Sequence, residues 1–256
     1  MKNRPWLLAE TTLKMFRRAP MKVAVLPFGS TEPHNLHLPY GSDVYEVAAI
    51  AQKACEIAWK NGARAVALPA VPFGTNSNFK GFPGFIHLNP TTHLAILRDI
   101  TWSLESCNVR KLVIINGHGG NNLLPFIREL WPATKVFISL VNWWQVAPKL
   151  TAKLIANPGE HADEMETSMM LHLYPHLVNL TDADAGAVRR LSLNAMREGW
   201  AICAPPWKRL TINSGHGNPK LASAEKGRVL FDVFTKKIAD YLVELAKARM
   251  NNCFPY

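Results

Sequence analysis

The chain has 256 residues, of which 48% are hydrophobic and 19% charged, and its formal net charge is +10 at pH 7. This balance excludes a disordered chain, and the length is within reach of one α/β core, so we predict a single domain over residues 1–256. Nowhere do roughly 18 uncharged apolar residues run together, which argues against a membrane span.

The positive charge is scattered along the chain. Its short basic groups are Arg17-Arg18, Arg189-Arg190, Lys208-Arg209 and Lys236-Lys237, and no aromatic-rich nucleic-acid motif accompanies them. We interpret these groups as solvated surface rather than as a nucleic-acid site.

The cysteines and the first residues bear on location. Cys55, Cys107, Cys203 and Cys253 are far apart and form no CxxC pair, which excludes a zinc knuckle and a thioredoxin-like motif. We expect reduced thiols. The first twenty residues hold no apolar stretch long enough for a signal peptide, so a cytoplasmic location is expected.

Strand-length apolar runs alternate with stretches of helical periodicity. The predicted strands cover residues 23–28, 63–70, 111–115 and 135–141. The predicted helices cover about 44–61, 91–107, 121–131, 164–173 and 222–249, and residues 69–90 and 204–219 are predicted loops. This alternation predicts an α/β fold, a three-layer α/β/α sandwich with a mainly parallel central sheet.

Potential metal ligands follow the first predicted strand directly. Glu32, His34 and Asp43 lie beyond its carboxyl end, where open α/β sheets bind ligands. In an extended segment, Glu32 and His34 at i and i+2 point to the same side, so they could hold adjacent metals. Asp43 then returns at a helix start, where a carboxylate can bridge two cations.

A further imidazole follows the third predicted strand. His118 lies in Asn116-Gly-His-Gly-Gly-Asn121, and we expect it at the same sheet edge. Gly119 and Gly120 allow close approach and are predicted to contact substrate. A mixed nitrogen and oxygen ligand set suits zinc, manganese or iron better than calcium or magnesium.

The last cluster of titratable residues spans positions 160–168. It holds His161, Glu164 and Glu166, which could supply an acid/base group and a final metal ligand. Other interpretations stay open: Asp163 and Glu166 fit a helix capping box, Glu164 could be exposed, and His118 could be satisfied by backbone. The coincidence of these residues at converging strand ends favours a metal site.

Several of these runs resemble the creatininase (creatinine amidohydrolase) family. They cover residues 26–39, Gly81-Phe-Pro-Gly84, 116–121, 161–168 and 221–227. The resemblance implies a three-layer α/β/α fold, a homohexamer and a site for two divalent metal ions. It also implies specific roles: Glu32, His34, Asp43 and His118 match the family's ligands, with Asp43 bridging, and His161 matches its catalytic histidine.

Two departures from the family pattern concern the site. Creatinine-hydrolysing enzymes carry a ligating glutamate at the position of Gly120, so we expect Glu166, rather than Glu164, to complete the metal site. Glu164 then stays a candidate catalytic acid or base. The tryptophan that precedes the catalytic histidine in those enzymes is also missing. We expect Trp143 and Trp144 to form one aromatic wall, and an incomplete enclosure argues against creatinine as substrate.

The predicted function is hydrolysis of a C–N amide bond in a small, cyclic amide or formamide by a metal-activated water. His161 would relay the proton to the leaving nitrogen. One alternative is hydrolysis of a C–C bond in a cyclic ketone at the same two metals. Another is a non-catalytic protein that binds metal or nucleic acid, which a steeply salt-dependent affinity for DNA or RNA would favour.

Overall fold

The computed structural model describes residues 4–251 and 253–255, so the expectation about the first twenty residues lies partly outside the described chain. A parallel sheet forms the centre, with the strand order β2-β1-β3-β4. The strands are β1 (Val23–Phe28), β2 (Ala65–Ala67), β3 (Lys111–Asn116) and β4 (Phe137–Asn142). All four predicted strands are confirmed.

Strand β2 is shorter than the predicted 63–70, and proline accounts for its end. After the Leu68 N–H donates to the Val25 carbonyl, Pro69 has no N–H with which to continue the ladder. The early end of β2 also explains how Pro27 fits inside the central strand β1. The Pro27 carbonyl faces the β2 side and accepts from the Val71 N–H. An N–H on residue 27 would point to the same side, beyond Ala67, where β2 has already ended. Proline can therefore occupy this position.

Helices cover both faces of the sheet. They are α1 (Leu13–Arg18), α2 (Ser42–Lys60), α3 (Pro90–Ser106), α4 (Leu124–Leu130), α5 (Pro148–Leu154), α6 (Glu164–Leu173), α7 (Asn194–Arg197), α8 (Trp207–Leu210) and α9 (Ala224–Lys247). The five predicted helices are present, whereas α1, α5, α7 and α8 are too short to show a period and were not predicted. Helix α4 starts three residues late because the Asn121 N–H turns back to the His118 carbonyl.

The two faces of the sheet form two separate cores. Val25 and Ile115 point towards α2, α6 and α9, and the buried aliphatic and aromatic residues of α2 and α9 pack over them. Leu26 and Ile114 point the other way, against α3 and α4. Because successive side chains of each strand point to opposite faces of the sheet, helices pack on both faces, and the predicted three-layer sandwich results. None of the described helices is long and apolar enough to cross a membrane.

An irregular segment, residues 183–218, returns over the carboxyl edge of the sheet. His216 forms an antiparallel bridge with His161, in which each backbone N–H donates to the other's carbonyl. Gly159, Gly186 and Gly217 meet beside this bridge, and a β-carbon on any of them would overlap the backbone of another glycine or of His216. The close approach therefore requires glycine, and it ties the segment to the residues around His161.

Candidate active site

Six titratable side chains converge at the carboxyl edge of the sheet. They come from the loop after β1, the first turn of α2, the end of β3 and the region where α6 starts. All but one are buried, and the exception is partly buried. The six residues are Glu32, His34, Asp43, His118, His161 and Glu166. The structure thus brings together the predicted ligands and the predicted catalytic histidine.

A buried amide holds three of the site-forming loops together. The Asn121 side chain donates to the Gly29 carbonyl over 3.1 Å and accepts from the Thr75 N–H over 3.0 Å. It therefore joins the loop after β1, the loop after β3 and the long connection from β2 to α3. Such a bond network keeps the ligands of different loops at fixed distances.

Backbone carbonyls orient all three histidines. His34 donates from Nδ1 to the Glu32 carbonyl over 2.9 Å, and His161 donates from Nε2 to the Pro33 carbonyl over 2.7 Å. His118 Nε2 contacts the Thr75 carbonyl over 3.3 Å. Because a carbonyl only accepts, these nitrogens carry the proton in the neutral rings. The opposite nitrogen of each ring is left with its lone pair, which is how metal-binding histidines are commonly oriented.

The free ring nitrogens face carboxylate oxygens. His34 Nε2 lies 3.0 Å from Asp43 Oδ1, and His118 Nδ1 lies 3.1 Å from Glu32 Oε1 and 3.3 Å from Asp43 Oδ2. Glu32 Oε1 and Asp43 Oδ2 are buried and accept no well-aligned hydrogen bond from the described residues. Lone pairs and anions this close repel one another unless a proton or a cation lies between them. The donor set therefore fits divalent metal ions.

The ligand atoms form groups that share one residue. Glu32, Asp43 and His118 make one group, and His34, Asp43 and Glu166 make another, with ligand atoms within 4.8 Å of one another in each. Asp43 belongs to both, as a bridging carboxylate would. A third group joins His161 to Glu32 and His34.

The charges in this cluster shift the pKa values strongly. Burial lowers the pKa of His34, but the neighbouring Asp43 carboxylate outweighs it and raises that pKa to about 9. Burial, together with Asp43 and Asp163, raises the pKa of Glu166 to about 8. Burial and the charge on His34 lower the pKa of His161 to about 4. His161 is therefore neutral near pH 7, with Nδ1 available as a base and 3.5 Å from Glu32 Oε1.

Glu166 accepts a backbone N–H just before the α6 cap and also faces the potential metal ligands. Asp163 begins α6 by accepting the N–H groups of Met165 and Glu166, as the capping interpretation expects. The Glu166 carboxylate accepts the Ala162 N–H with Oε2, which leaves its other oxygen available. The capping and ligand interpretations are therefore compatible.

Glu164 points away from this cluster. Its carboxylate pairs with Lys226 of α9 over 2.5 Å and accepts the N–H groups of Ala156 and Asn157. Residues two apart in a helix lie about 200° apart around the axis, so Glu164 and Glu166 face opposite sides of α6. The structure does not bring Glu164 to the pocket beside the ligands.

That pocket has a volume of about 490 Å³. The predicted substrate contacts Trp143, Trp144, Gly119 and Gly120 all line it. Eight further lining residues were not predicted as site residues, and among them are Asn78, Phe79, Glu160 and Trp207.

Two of the residues missed by sequence analysis form an aromatic wall around His161. The ring centroids of Phe79 and Trp207 lie 5.3 and 5.8 Å from that of His161 and 5.4 Å from each other. Both come from segments predicted as loops. The signal that could have pointed there is His216, whose Gly-His-Gly run copies the one around His118 and which packs against Trp207 at 6.1 Å.

Comparison with known proteins agrees with this geometry. The family model for creatininase (creatinine amidohydrolase) matches residues 9–242. The chain is 27% identical to a mycofactocin precursor peptide peptidase of Mycolicibacterium smegmatis over 90% of this chain and 87% of that one. It is 26% identical to the creatinine amidohydrolase of Pseudomonas putida over 87% and 89%.

Solved structures give the same result. A crystal structure of a candidate creatinine amidohydrolase from Bacteroides fragilis superposes with a TM-score of 0.91 at 36% identity, over 97% of this chain and 99% of that one. A manganese form of creatininase has a TM-score of 0.76 at 25% identity over 95% and 99%. A mutant creatininase has been solved in a Zn-Zn form and in complex with creatine. With the family model, the fold and the cluster of potential metal ligands in agreement, this chain belongs to the creatininase (creatinine amidohydrolase) family.

Proposed function

We propose that this enzyme hydrolyses the C–N bond of a small amide or formamide at a centre of two divalent metal ions. The observation that carries the proposal is the sharing of Asp43 between two ligand groups, Glu32 with His118 and His34 with Glu166. Zinc, manganese and iron all suit this donor set. When bound, such ions would acidify a water nucleophile and polarise the substrate carbonyl.

The protein's own groups would then orient the substrate and move the proton. His161 is buried and neutral, and its Nδ1 faces the ligand cluster while its Nε2 proton is held by the Pro33 carbonyl. It is placed to take a proton from the nucleophile and return it to the leaving nitrogen. Phe79 and Trp207 exclude water from one side of the His161 ring, and Trp143 and Trp144 line the pocket.

Elemental analysis of protein purified without chelator or affinity metal tests the proposal. We expect about two divalent ions per chain in the wild type and about one in Glu166→Gln. Glu164→Gln is the matched control, because its carboxylate pairs with Lys226 and should leave the metal content unchanged. A wild-type chain that binds no metal even after reconstitution would overturn the proposal.

Product analysis then separates amide cleavage from the ketone alternative. Hydrolysis of a C–N bond generates an amino group and a carboxylate, on one molecule when the amide is cyclic, whereas hydrolytic opening of a cyclic ketone generates a carboxylate and a new C–H bond but no amino group. The screen should therefore pair cyclic amides and formamides with cyclic ketones. Turnover of the ketones alone would favour C–C bond hydrolysis over amide hydrolysis.

We also propose that the protein is cytoplasmic and that it assembles as a homohexamer, the assembly that the family resemblance implies. Trp102 is 72% exposed and Trp131 62% exposed, and large aromatic side chains of this kind are often covered at subunit contacts. Light scattering after size-exclusion chromatography measures the assembly, and a monomer at micromolar concentration would contradict it.

A further inference from the structure

A second cavity adjoins the active-site pocket. It has a volume of about 660 Å³, and four of its lining residues also line the first pocket. These shared residues are Asn78, Gly120, Glu160 and Trp207. Each space alone is large enough for a small-molecule ligand, so the two together fit a substrate that extends past Trp207.

The second cavity is lined by three arginines. Arg189 and Arg190 are adjacent in the chain, and Arg197 follows from α7. Within residues 4–251 and 253–255, no carboxylate lies within ion-pair distance of any of these guanidinium groups. Arg197 Nη1 also donates hydrogen bonds to the backbone carbonyls of Leu191 and Ser192, so this side chain fixes the backbone next to the cavity.

The backbone that presents the arginine pair is fixed on both sides. Val188 bridges Thr211, and the Arg189 N–H donates to the Leu210 carbonyl over 2.8 Å. All three arginines are exposed at this cavity, and an anion bound there would meet three positive charges that no acidic side chain in the described part of the chain neutralises. Guanidinium groups suit carboxylates in particular, because they can form two parallel hydrogen bonds.

One acidic residue limits where such an anion can bind. Glu160 is exposed and lies where the two spaces meet. Its carboxylate would disfavour an anionic group at the junction of the two spaces, so an anionic group of the substrate would bind farther along, at the arginine end. The charge pattern therefore orients a substrate with its reacting bond at one end and its anionic group at the other.

We propose that the substrate is an amide with a carboxylate-bearing arm, that the scissile amide binds at the metal ligands, and that the carboxylate binds Arg189 and Arg190. The proposal rests on the proposed amide hydrolysis and specifies its substrate class. The arm passes Trp207, which lines both spaces and whose ring lies nearly perpendicular to that of His161.

Matched pairs of compounds test this substrate class. One series is N-acetyl-ω-amino acids from N-acetylglycine to N-acetylaminohexanoate, and the other is the N-methyl monoamides of dicarboxylic acids. Each compound is compared with its terminal carboxamide, which is nearly the same size but neutral. Hydrolysis by metal-loaded enzyme and calorimetric binding are both measured for the wild type and for the double variant R189Q/R190Q.

The matched control is R17Q/R18Q. It removes the same two charges from α1, where both arginines are exposed and line neither cavity. We expect kcat/KM for the best carboxylate compound to fall about 10- to 100-fold in R189Q/R190Q and to stay within about twofold in the control. The carboxamide partner should change little in either variant.

The two readouts keep this proposal distinct from the proposed function. If no compound is hydrolysed but carboxylates bind in an arginine-dependent way, the anion subsite stands and amide hydrolysis fails. If amides are hydrolysed with equal kcat/KM for carboxylate and carboxamide in both variants, the subsite is overturned. Carboxylate binding that is equal in wild type and R189Q/R190Q reflects the metal ions alone and also overturns it.

Discussion

Gly120 packs directly against His118. A β-carbon at position 120 would overlap His118 Nε2 and would lie 2.6 Å from the Thr75 carbonyl oxygen, which is the hydrogen-bond partner of that same nitrogen. The position that carries a ligating glutamate in creatinine-hydrolysing enzymes therefore has no room for a side chain here. Glu166 of α6 lies beside His34 and Asp43, and we propose that it supplies the ligand that position 120 cannot.

This contact predicts that Gly120→Ala displaces the His118 ring and weakens metal binding. We expect a loss of roughly 1–3 kcal/mol, or about 5- to 150-fold in affinity, from the overpacking and the lost orienting bond. Competition with a chelating dye measures the affinity. Gly119→Ala is the control, because a β-carbon there meets nothing within 4 Å. Equal affinities in the two variants would contradict the predicted displacement.

His161→Ala should remove turnover while the metal stays bound. General acid–base catalysis contributes about 10²- to 10⁴-fold, so kcat should fall by that factor. Steady-state kinetics and elemental analysis of the same preparation provide the check. Because His161 also groups with Glu32 and His34, loss of one metal ion from His161→Ala would instead make it a ligand.

Metal uptake should become stronger as pH rises. The pKa values of about 9 for His34 and about 8 for Glu166 in the metal-free protein mean that both are protonated near pH 7, and a metal ion must displace those protons. Affinity should therefore increase about tenfold per pH unit for each displaced proton below these pKa values. Zinc titrations from about pH 6 to pH 9 in weak buffer measure affinity and proton release together.

Glu166→Gln gives a matched comparison for that pH dependence. It removes one titrating group, so the slope below about pH 8 should be shallower than in the wild type. A zinc affinity that is independent of pH would show that neither group is protonated in the metal-free chain.

The Glu164–Lys226 pair should act on stability rather than on turnover. Glu164 is fully buried and the Lys226 side chain is 26% exposed, so Lys226→Met leaves a buried carboxylate with only backbone partners. We expect a loss of about 2 kcal/mol of unfolding free energy, below the range for fully buried pairs because of that exposure. Urea unfolding measures it. Intact stability with lost activity in Glu164→Gln would return Glu164 to a catalytic role.

The Glu164–Lys226 pair should also make the free energy of unfolding depend on pH. Burial raises the pKa of Glu164, but the Lys226 ammonium and the two backbone N–H groups outweigh it and lower that pKa overall. When the pKa of a carboxyl group is lower in the folded chain than in the unfolded chain, its ionised form stabilises the fold. This stabilisation is fully present above the pKa of the unfolded chain and is lost as the pH falls through the pKa of the folded chain. The difference between wild type and Lys226→Met should therefore shrink in acid.

Trp207→Ala should weaken substrate binding at the aromatic wall. The Trp207 indole is held by a hydrogen bond to the Ser214 carbonyl, and its ring packs at 5.8 Å and nearly perpendicular to His161. We expect KM to rise about tenfold, with recovery in Trp207→Phe. Trp200→Ala is the control, because that side chain is 74% exposed and lines neither cavity. Equal KM values in both variants would remove Trp207 from the substrate site.

The meeting of Glu32, Asp43 and His118 could be predicted from the chain alone. Parallel strands end at one edge of a sheet, so ligands that follow β1 and β3 must be near neighbours. The histidine tautomers could not be predicted, because they depend on the carbonyls of Glu32, Pro33 and Thr75, whose positions need the folded loops.

Glu164 and the aromatic wall show where sequence reasoning reached its limit. To choose between Glu164 and Glu166, one must know how α6 is oriented about its own axis. That orientation depends on the position of its N-cap, Asp163. Trp207 belongs to a segment without periodicity, and only long-range backbone contacts bring it to His161. Neither property is encoded in a local pattern.

The three glycines that meet beside His161 have a consequence for how such enzymes change substrates. Gly159 and Gly217 anchor the outer segment on one side, and Gly186 anchors it on the other. The segment between these anchors, residues 187–213, can change in length or in side chains without altering the backbone hydrogen bonds between His161 and His216. Selection for a new substrate can thus act on one replaceable stretch of surface, separately from the residues that perform the chemistry.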